Sequence, residues 1–316
     1  MIKNKNKIFL CSAAGCILAG AVLFGAGISM GGNPQFSLTG SGLHLKNLEE
    51  EGQKYELSKT SIDPVSEISL KVDMADVEFL ASEDQNCYVE YSLYGNTQKP
   101  EFQAEGGRLV IEEKPEKGVQ GFQFGFLGDF QEEKYYVKIY LPEKVQPEKV
   151  EVDNENGNVS IKNLEADSCT VKADYGDIFL EQYTGKQLSV EADAGDIRAG
   201  EIEAEEAELL SDYGDVEIES FQGEKGNVEL ESGELRIKKA DMKNLEIKSD
   251  YGDVTLGSSY DWETYDLDLY TDYGEIQLKG YEVAKEWEQK LKIEKGRGKS
   301  LKITCDSGDI TLEEKE

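Results

Sequence analysis

SDYGDVEIES, residues 211–220, is the stretch whose reading decides the fold. Its core runs acid, any residue, glycine, acid, then apolar, polar, apolar: Asp212, Tyr213, Gly214, Asp215, Val216, Glu217, Ile218. The same phrase returns around Gly157, Gly176, Gly195, Gly233, Gly252, Gly274 and Gly308. From Gly157 to Gly252 each step is 19 residues (176−157, 195−176, 214−195, 233−214, 252−233); the last two steps are 22 (274−252) and 34 (308−274). A fixed period of this size marks a repeat architecture.

Aligned on the glycine, each position of the repeat has a fixed character. Five before it stand Val152, Val171, Val190, Leu209, Val228, Ile247, Leu269 and Ile303; two after it stand Val159, Ile178, Ile197, Val216, Leu235, Val254, Ile276 and Ile310. Four after it the chain is again apolar, from Ile161 to Leu312. Apolar-polar alternation with β-branched residues is the signature of half-buried strands. Each copy therefore reads strand, glycine turn, strand, loop, with the glycine supplying a positive φ or room for close packing. One unit cannot bury its apolar face alone, but stacked units can. The expectation is an all-β, right-handed parallel β-solenoid with coils of about 19 residues, each of two strands and two bends. An antiparallel sandwich of regular hairpins is the competing architecture, and the constant register over many copies argues against it.

Acids flank every turn. Two before the glycine stand Glu155, Asp174, Asp193, Asp212, Glu231, Asp250, Asp272 and Asp306; one after it stand Asn158, Asp177, Asp196, Asp215, Glu234, Asp253, Glu275 and Asp309. Stacked coils would align these into two carboxylate ladders with rungs about 4.8 Å apart. Asp174, Asp177, Asp193, Asp196, Asp212, Asp215, Asp250 and Asp253 are accordingly candidate Ca²⁺ ligands. The chain lacks the Ca²⁺-binding nonapeptide and the EF-hand loop, so turn chemistry is the preferred reading of Asp at these places. Just before the glycine, Tyr175, Tyr213, Tyr251 and Tyr273 form a column interrupted by Ala194 and Ser232, expected to lie over the turns as an amphipathic cover.

The 316 residues carry a formal net charge of −31. Such a chain repels phosphate, which excludes nucleic acid as a partner. The acids are spread through alternating strands, so they read as a solvated face of a folded protein. Five cysteines show no metal-binding spacing, and Cys87, Cys169 and Cys305 are expected to be buried free thiols. A single histidine, His44, and the absence of a P-loop, HExxH or GxGxxG leave no catalytic set, so an enzyme is not expected.

Residues 1–7 hold Lys3, Lys5 and Lys7, and Ile8 to Met30 is a 23-residue run without charge. That suffices to cross a bilayer, with the lysines keeping the N-terminus cytoplasmic and the bulk of the chain extracytoplasmic. A cleaved signal peptide and a lipoprotein signal ending at Cys16 are the rival readings. Residues 31–62 read as a juxtamembrane linker with little structure, and 63–150 as the β-rich N-terminal part of the solenoid. There Asp73–Phe79 repeats the phrase with Ala75 in the glycine position, the expected first coil. The loop GVQGFQFGFLGDF, 118–130, carries Phe122, Phe124, Phe126 and Phe130, a contact for membrane or partner or else a flap over an open end. Residues 281–300 break the period as a short helix or a hairpin, and 301–312 give the last coil.

The order of these features, with YVKIYLPE before repeats of the type SDYGDVEIES, resembles the bacterial putative-adhesin family of unknown function over roughly residues 60–316. The resemblance implies a right-handed β-helix-like fold and display at the cell envelope, with some members accessory to envelope-stress regulators. It brings no catalytic residues. Two functions are therefore expected to compete: a membrane-anchored binding or scaffold module for an envelope protein or surface polymer, and an accessory regulator or sensor partner of membrane proteins.

Overall fold

The structure is a computed structural model; it describes residues 54–93, 99–113, 135–279, 289–296 and 298–313, and the backbone of 35–39, 42–45, 122–125 and 286–287. The chain divides into two units, 54–115 with 134–316, and 1–53 with 116–133. The expected membrane segment 8–30 lies outside the described residues, among which no helix is long and apolar enough to cross a membrane.

In the larger unit the repeats form parallel coils. The strands Ile178–Ala194, Ile197–Tyr213, Val216–Ser232 and Leu235–Tyr251 are 17 residues each and pair in register at an offset of 19, so that Ile197 faces Val216 and Val216 faces Leu235. A straight strand of that length would run about 56 Å, whereas each of these returns beneath itself one strand spacing on. The return is written in the burial pattern. Along Ile197–Tyr213 the buried residues are Ile197, Ala199, Ile202, Ala204, Ala207, Leu209 and Ser211. Alternation slips after Ala199, after Ala204 and after Ser211, and there the pairing also skips a residue. Each slip keeps the following side chains pointing inward as the strand bends. The coil thus has three sides and three corners, with the glycine turn at the third. The expected two strands and two bends are corrected to one continuous strand bent twice between turns.

The interior is filled by complementary sizes at neighbouring positions. Tyr183 stands two residues before Gly185, and across coils Phe221 is paired with Ala240 and Gly223 with Met242. Phe221 sits beside Gly226, where an added Cβ would come within 3.0 Å of the Phe221 ring and 2.9 Å of Leu245. Tyr183 is fully buried, and its hydroxyl donates to the Gln187 carbonyl at 2.6 Å, which removes the cost of burying a phenol. Cys87, Cys169 and Cys305 are buried free thiols, as expected, and burial lifts Cys169 to about 12.

The turns stack as closely as backbone allows. Gly214 has φ +156°, and a Cβ there would lie 2.1 Å from the Gly195 carbonyl oxygen. The same approach joins Gly157 to Ala75, then Gly176, Gly195, Gly214, Gly233, Gly252, Gly308 and finally Gly274. This order departs from the sequence. The coil ending in Ile310–Leu312 is not last: Ser300–Ser307 pairs in parallel with both Leu235–Tyr251 and Asp266–Tyr273, so it is inserted between them. The intervening segment is the hairpin alternative, since Lys290–Ile293 runs antiparallel along Asp266–Tyr273. Trp262 plugs this end and donates its indole N–H to the Glu313 carbonyl.

At the other end the coil of Glu67–Ala81 is the degenerate repeat expected there, but it is not first. Arg108–Glu112 and Tyr136–Leu141 pair in parallel with its two halves and form one more coil from two separate segments. Antiparallel strands Cys87–Leu93, Glu101–Glu105 and Tyr55–Ile62 continue from it. The stretch expected to be a linker with little structure therefore contains the strand Tyr55–Ile62. In the smaller unit Gln35–Thr39 pairs antiparallel with Gly42–Leu45, which includes His44, and with Phe122–Gly125.

Gly214→Ala is expected to cost about 3 kcal/mol or more, because positive φ and a backbone clash act together. Gly296→Ala, at φ +65° with nothing within 4 Å of its added Cβ, is expected to cost about 1 kcal/mol. Denaturant unfolding of both variants checks the difference; equal costs would show that turn stacking is not the constraint.

Candidate functional site

The edge where the glycine turns stack carries the most distinctive surface. The residue before each glycine points outward because the strand has just turned its corner. Following the register from coil to coil, this column reads Asn156, Tyr175, Ala194, Tyr213, Ser232, Tyr251, Ser307, Tyr273. In sequence the tyrosines look interrupted. In space, insertion of the coil bearing Ser307 between those of Tyr251 and Tyr273 makes the alternation of tyrosine and small residue strict. The four rings are 65%, 65%, 66% and 79% exposed, so they do not cover the turns as expected; they stand out from them. Neighbouring tyrosines lie two coils apart, about 9.6 Å. Among the described residues none of these rings contacts another aromatic ring.

The carboxylates on either side have two different tasks. In the position after the glycine, Oδ1 of each residue accepts the backbone N–H of the same position one coil on: Asp76 from Asn158, Asn158 from Asp177, Asp177 from Asp196, Asp196 from Asp215 and Asp215 from Glu234, all at 2.9 Å. The series pauses at Glu234, then resumes with Asp253 accepting from Asp309 and Asp309 from Glu275. Turn chemistry was the expected alternative to metal binding, and the bond found is of that kind but directed to the next coil. Each amide between two carboxylates offsets part of their repulsion. Among the described residues there is no group of three or more His, Cys, Asp or Glu placed to hold a metal ion. Asp174, Asp193, Asp212 and Asp250 lie in the row before the tyrosines, and Asp177, Asp196, Asp215 and Asp253 in the row after the glycines, so the eight candidate ligands form two files and not one cluster.

Cations match part of these files. Lys172 bridges Glu191 at 2.9 Å and reaches Asp174 and Asp193; Arg198 bridges Asp196 and Asp177. At the N-terminal end of the file before the tyrosines, Asp73 and Glu155 crowd with Glu113. Glu113 is 5% exposed and accepts the Asp73 N–H at 2.8 Å. Burial raises it above its ordinary 4.5, and the charges of Asp73 and Glu155 raise it further. Burial and the charge of Asp73 raise Glu155 in the same way, partly offset by Lys71.

Inward from the turn, one slot was missed in the sequence. Ser211, Ser249 and Thr271, three residues before a glycine, are buried and donate to turn carbonyls, Thr271 to Gly308 at 2.9 Å. Each gives a turn carbonyl a buried donor. A shallow trough of about 810 Å³ crosses another side of the coils, where Ala207 and Gly226 leave a dent between Leu188 and Leu245. Of the lysines lining it, Lys248 pairs with Glu229 and Lys302 with Glu246. Phe122 and Phe124 fall on the strand paired with Gln35–Thr39; Phe126 and Phe130 lie outside the described residues.

The family model described as Toastrack DUF4097 matches residues 65–313. No curated protein matches the chain. Three solved structures resemble it. One is of a putative adhesin from Parabacteroides distasonis, 14% identical, covering 83% of this chain and 98% of that one at a TM-score of 0.47. The second is of a putative adhesin from Parabacteroides merdae, 13% identical, with 83% and 97% covered and a TM-score of 0.47. The third is of a putative adhesin from Bacteroides fragilis, 12% identical, with 83% and 96% covered and a TM-score of 0.43.

Asp215→Ala removes an acceptor from the Glu234 N–H and is expected to cost about 1 kcal/mol, whereas Asp215→Asn keeps one and should stay within about 0.5 kcal/mol. Urea unfolding with and without millimolar calcium checks this; a large calcium-dependent loss in the Asn variant would show that the file holds an ion. For Glu113 the folded-state value is raised, so its contribution is favourable at low pH and is lost as pH rises above the ordinary 4.5. Glu113→Gln, which can still accept the Asp73 N–H, is expected to raise the melting temperature at pH 7 and leave it unchanged at pH 4.

Proposed function

The chain belongs to the Toastrack DUF4097 family, and from that premise we propose that it is a non-catalytic binding or scaffold module of the bacterial cell envelope. In this reading residues 8–30 anchor it in the membrane, the coils stand on the extracytoplasmic side, and the tyrosine edge is the binding face. The observation that carries the reading is the strict alternation of exposed tyrosines with Ala194, Ser232 and Ser307 over seven successive coils. A structural role would favour rings on adjacent coils, where cross-strand aromatic pairs are stabilising. The alternation forgoes those pairs and leaves large amphipathic side chains in water. Tyrosine in that setting is the residue type enriched at recognition surfaces. The fold supports the reading by fixing the spacing: every ring is set by a backbone ladder that cannot slip without turning the core outward. No cofactor is assigned.

The test is a pull-down from intact cells after brief crosslinking, with full-length protein and its Tyr213→Ser/Tyr251→Ser variant as baits. The variant is expected to melt like the parent and to lose about ten-fold in specific capture. Recovery of membrane proteins would direct the module to a regulatory partner; recovery of wall or extracellular polymer would direct it to adhesion. Capture that is undiminished in the variant would remove the tyrosine edge as the binding face.

A further inference from the structure

Between successive tyrosines the small residues leave notches, and their surroundings differ along the edge. The notch at Ala194 has Asp193 and Asp196 beside it, and these already meet Lys172 and Arg198. The notch at Ser232 lies between Tyr213 and Tyr251, with Glu231 and Glu234 adjacent in the chain; the notch at Ser307 lies between Tyr251 and Tyr273, with Asp306 and Asp309 adjacent. Among the described residues no lysine or arginine bridges any of these four acids. Glu234 is also the point where the carboxylate-to-amide series pauses.

Each of these two notches therefore presents two aromatic walls and two carboxylates that no lysine or arginine bridges, although Asp309 accepts the Glu275 N–H. That is the chemistry of a site for an organic cation, in which ring faces and acids both favour positive charge and neither recognises an anion. The two notches are two coils apart, about 9.6 Å. A polyproline II segment brings every third side chain to one face at about 9.3 Å. A β-strand brings same-face side chains about 6.6 Å apart, and a helix offers about 10.5 Å at seven residues. The first comes nearest to the spacing of the two notches.

We propose that the edge from Tyr213 to Tyr273 docks an extended, polyproline II-like polypeptide segment of a partner protein, with a lysine or arginine at every third residue, one in the Ser232 notch and one in the Ser307 notch. This rests on the tyrosine edge being the binding face. Tyr251 walls both notches, so it is the residue on which affinity depends most.

The experiment is a binding titration of the full-length protein with a fluorescent peptide of Pro-Pro-Lys repeats and with a Gly-Gly-Lys peptide of equal length and charge. The Pro-Pro-Lys peptide is expected to bind about ten-fold more tightly, because it is pre-extended at the matching spacing. Tyr251→Ser, and Ser232→Tyr, which fills a notch at a surface position, are each expected to lose about ten-fold with unchanged melting. Raised salt should weaken binding. Equal affinity for the two peptides would overturn the register, and undiminished binding by Tyr251→Ser would reduce the contact to unspecific charge. Absence of peptide binding, or ring-dependent binding of a neutral glycan oligomer in its place, would overturn the cationic partner. If capture in cells depends on the tyrosines while the lysine peptides do not bind, the binding face stands and this partner class falls.

Discussion

One approach governs this molecule: the α-carbon of each turn glycine lies against the carbonyl oxygen of the turn beneath it, where a Cβ at Gly214 would come within 2.1 Å. Because the turns stack at backbone distance, the ladder stays paired through the corner, with Gly195 N–H donating to Tyr213 and Ile197 N–H to Asp215. An unbroken ladder fixes the offset of 19 along the regular coils, and a fixed offset aligns every column, apolar within and polar without. At some turns a buried hydroxyl three residues before the glycine adds a bond to a turn carbonyl, as Ser211, Ser249 and Thr271 do, while Ala173, Ala192 and Leu230 fill the same place elsewhere.

Register also organises the charge. With 65 acidic residues against 34 basic ones, unrelieved files of like charge would oppose stacking. Two devices answer this. Backbone amides are interleaved with the aspartates after each glycine, and cross-coil pairs such as Lys238–Glu219, Lys243–Glu224 and Lys302–Glu246 tie neighbouring coils on the outer faces. Such exposed pairs contribute little singly, roughly 0–1 kcal/mol, and with 65 acids to 34 bases they leave many acids along the turns, those beside Ser232 and Ser307 included, without a cation among the described residues. At Glu113 burial and the neighbouring charges outweigh the one amide it accepts, and the carboxyl holds its proton more tightly.

Both ends of the stack are completed by segments that break the period. Sheet edges expose unpaired backbone groups and invite association with other chains. At one end the antiparallel strand Lys290–Ile293 lies along Asp266–Tyr273; at the other, Arg108–Glu112 and Tyr136–Leu141 build a coil from pieces before antiparallel strands take over. The irregular steps of 22 and 34 residues are the trace of the first end in the sequence, and the gap of 82 (157−75) between Ala75 and Gly157 is the trace of the second.

The period, the inward columns two and four after the glycine, the glycine turns, the parallel stacking, the degenerate coil at Ala75 and the buried thiols were all legible, because each is a local rule repeated many times. The third side of the coil was legible in principle, since Glu205–Glu206 and Lys243–Asn244 are paired polar neighbours that mark a corner. The order of the last coils was not. Nothing near Ser300–Ser307 says that it enters between two earlier strands, because that choice is made by hydrogen bonds between edges distant in the chain. That tertiary choice turns an interrupted tyrosine column into a regular row. The sequence by itself determined what one coil is; only the folded stack decided which coils are neighbours, because strand pairing reads backbone edges and shape rather than position along the chain.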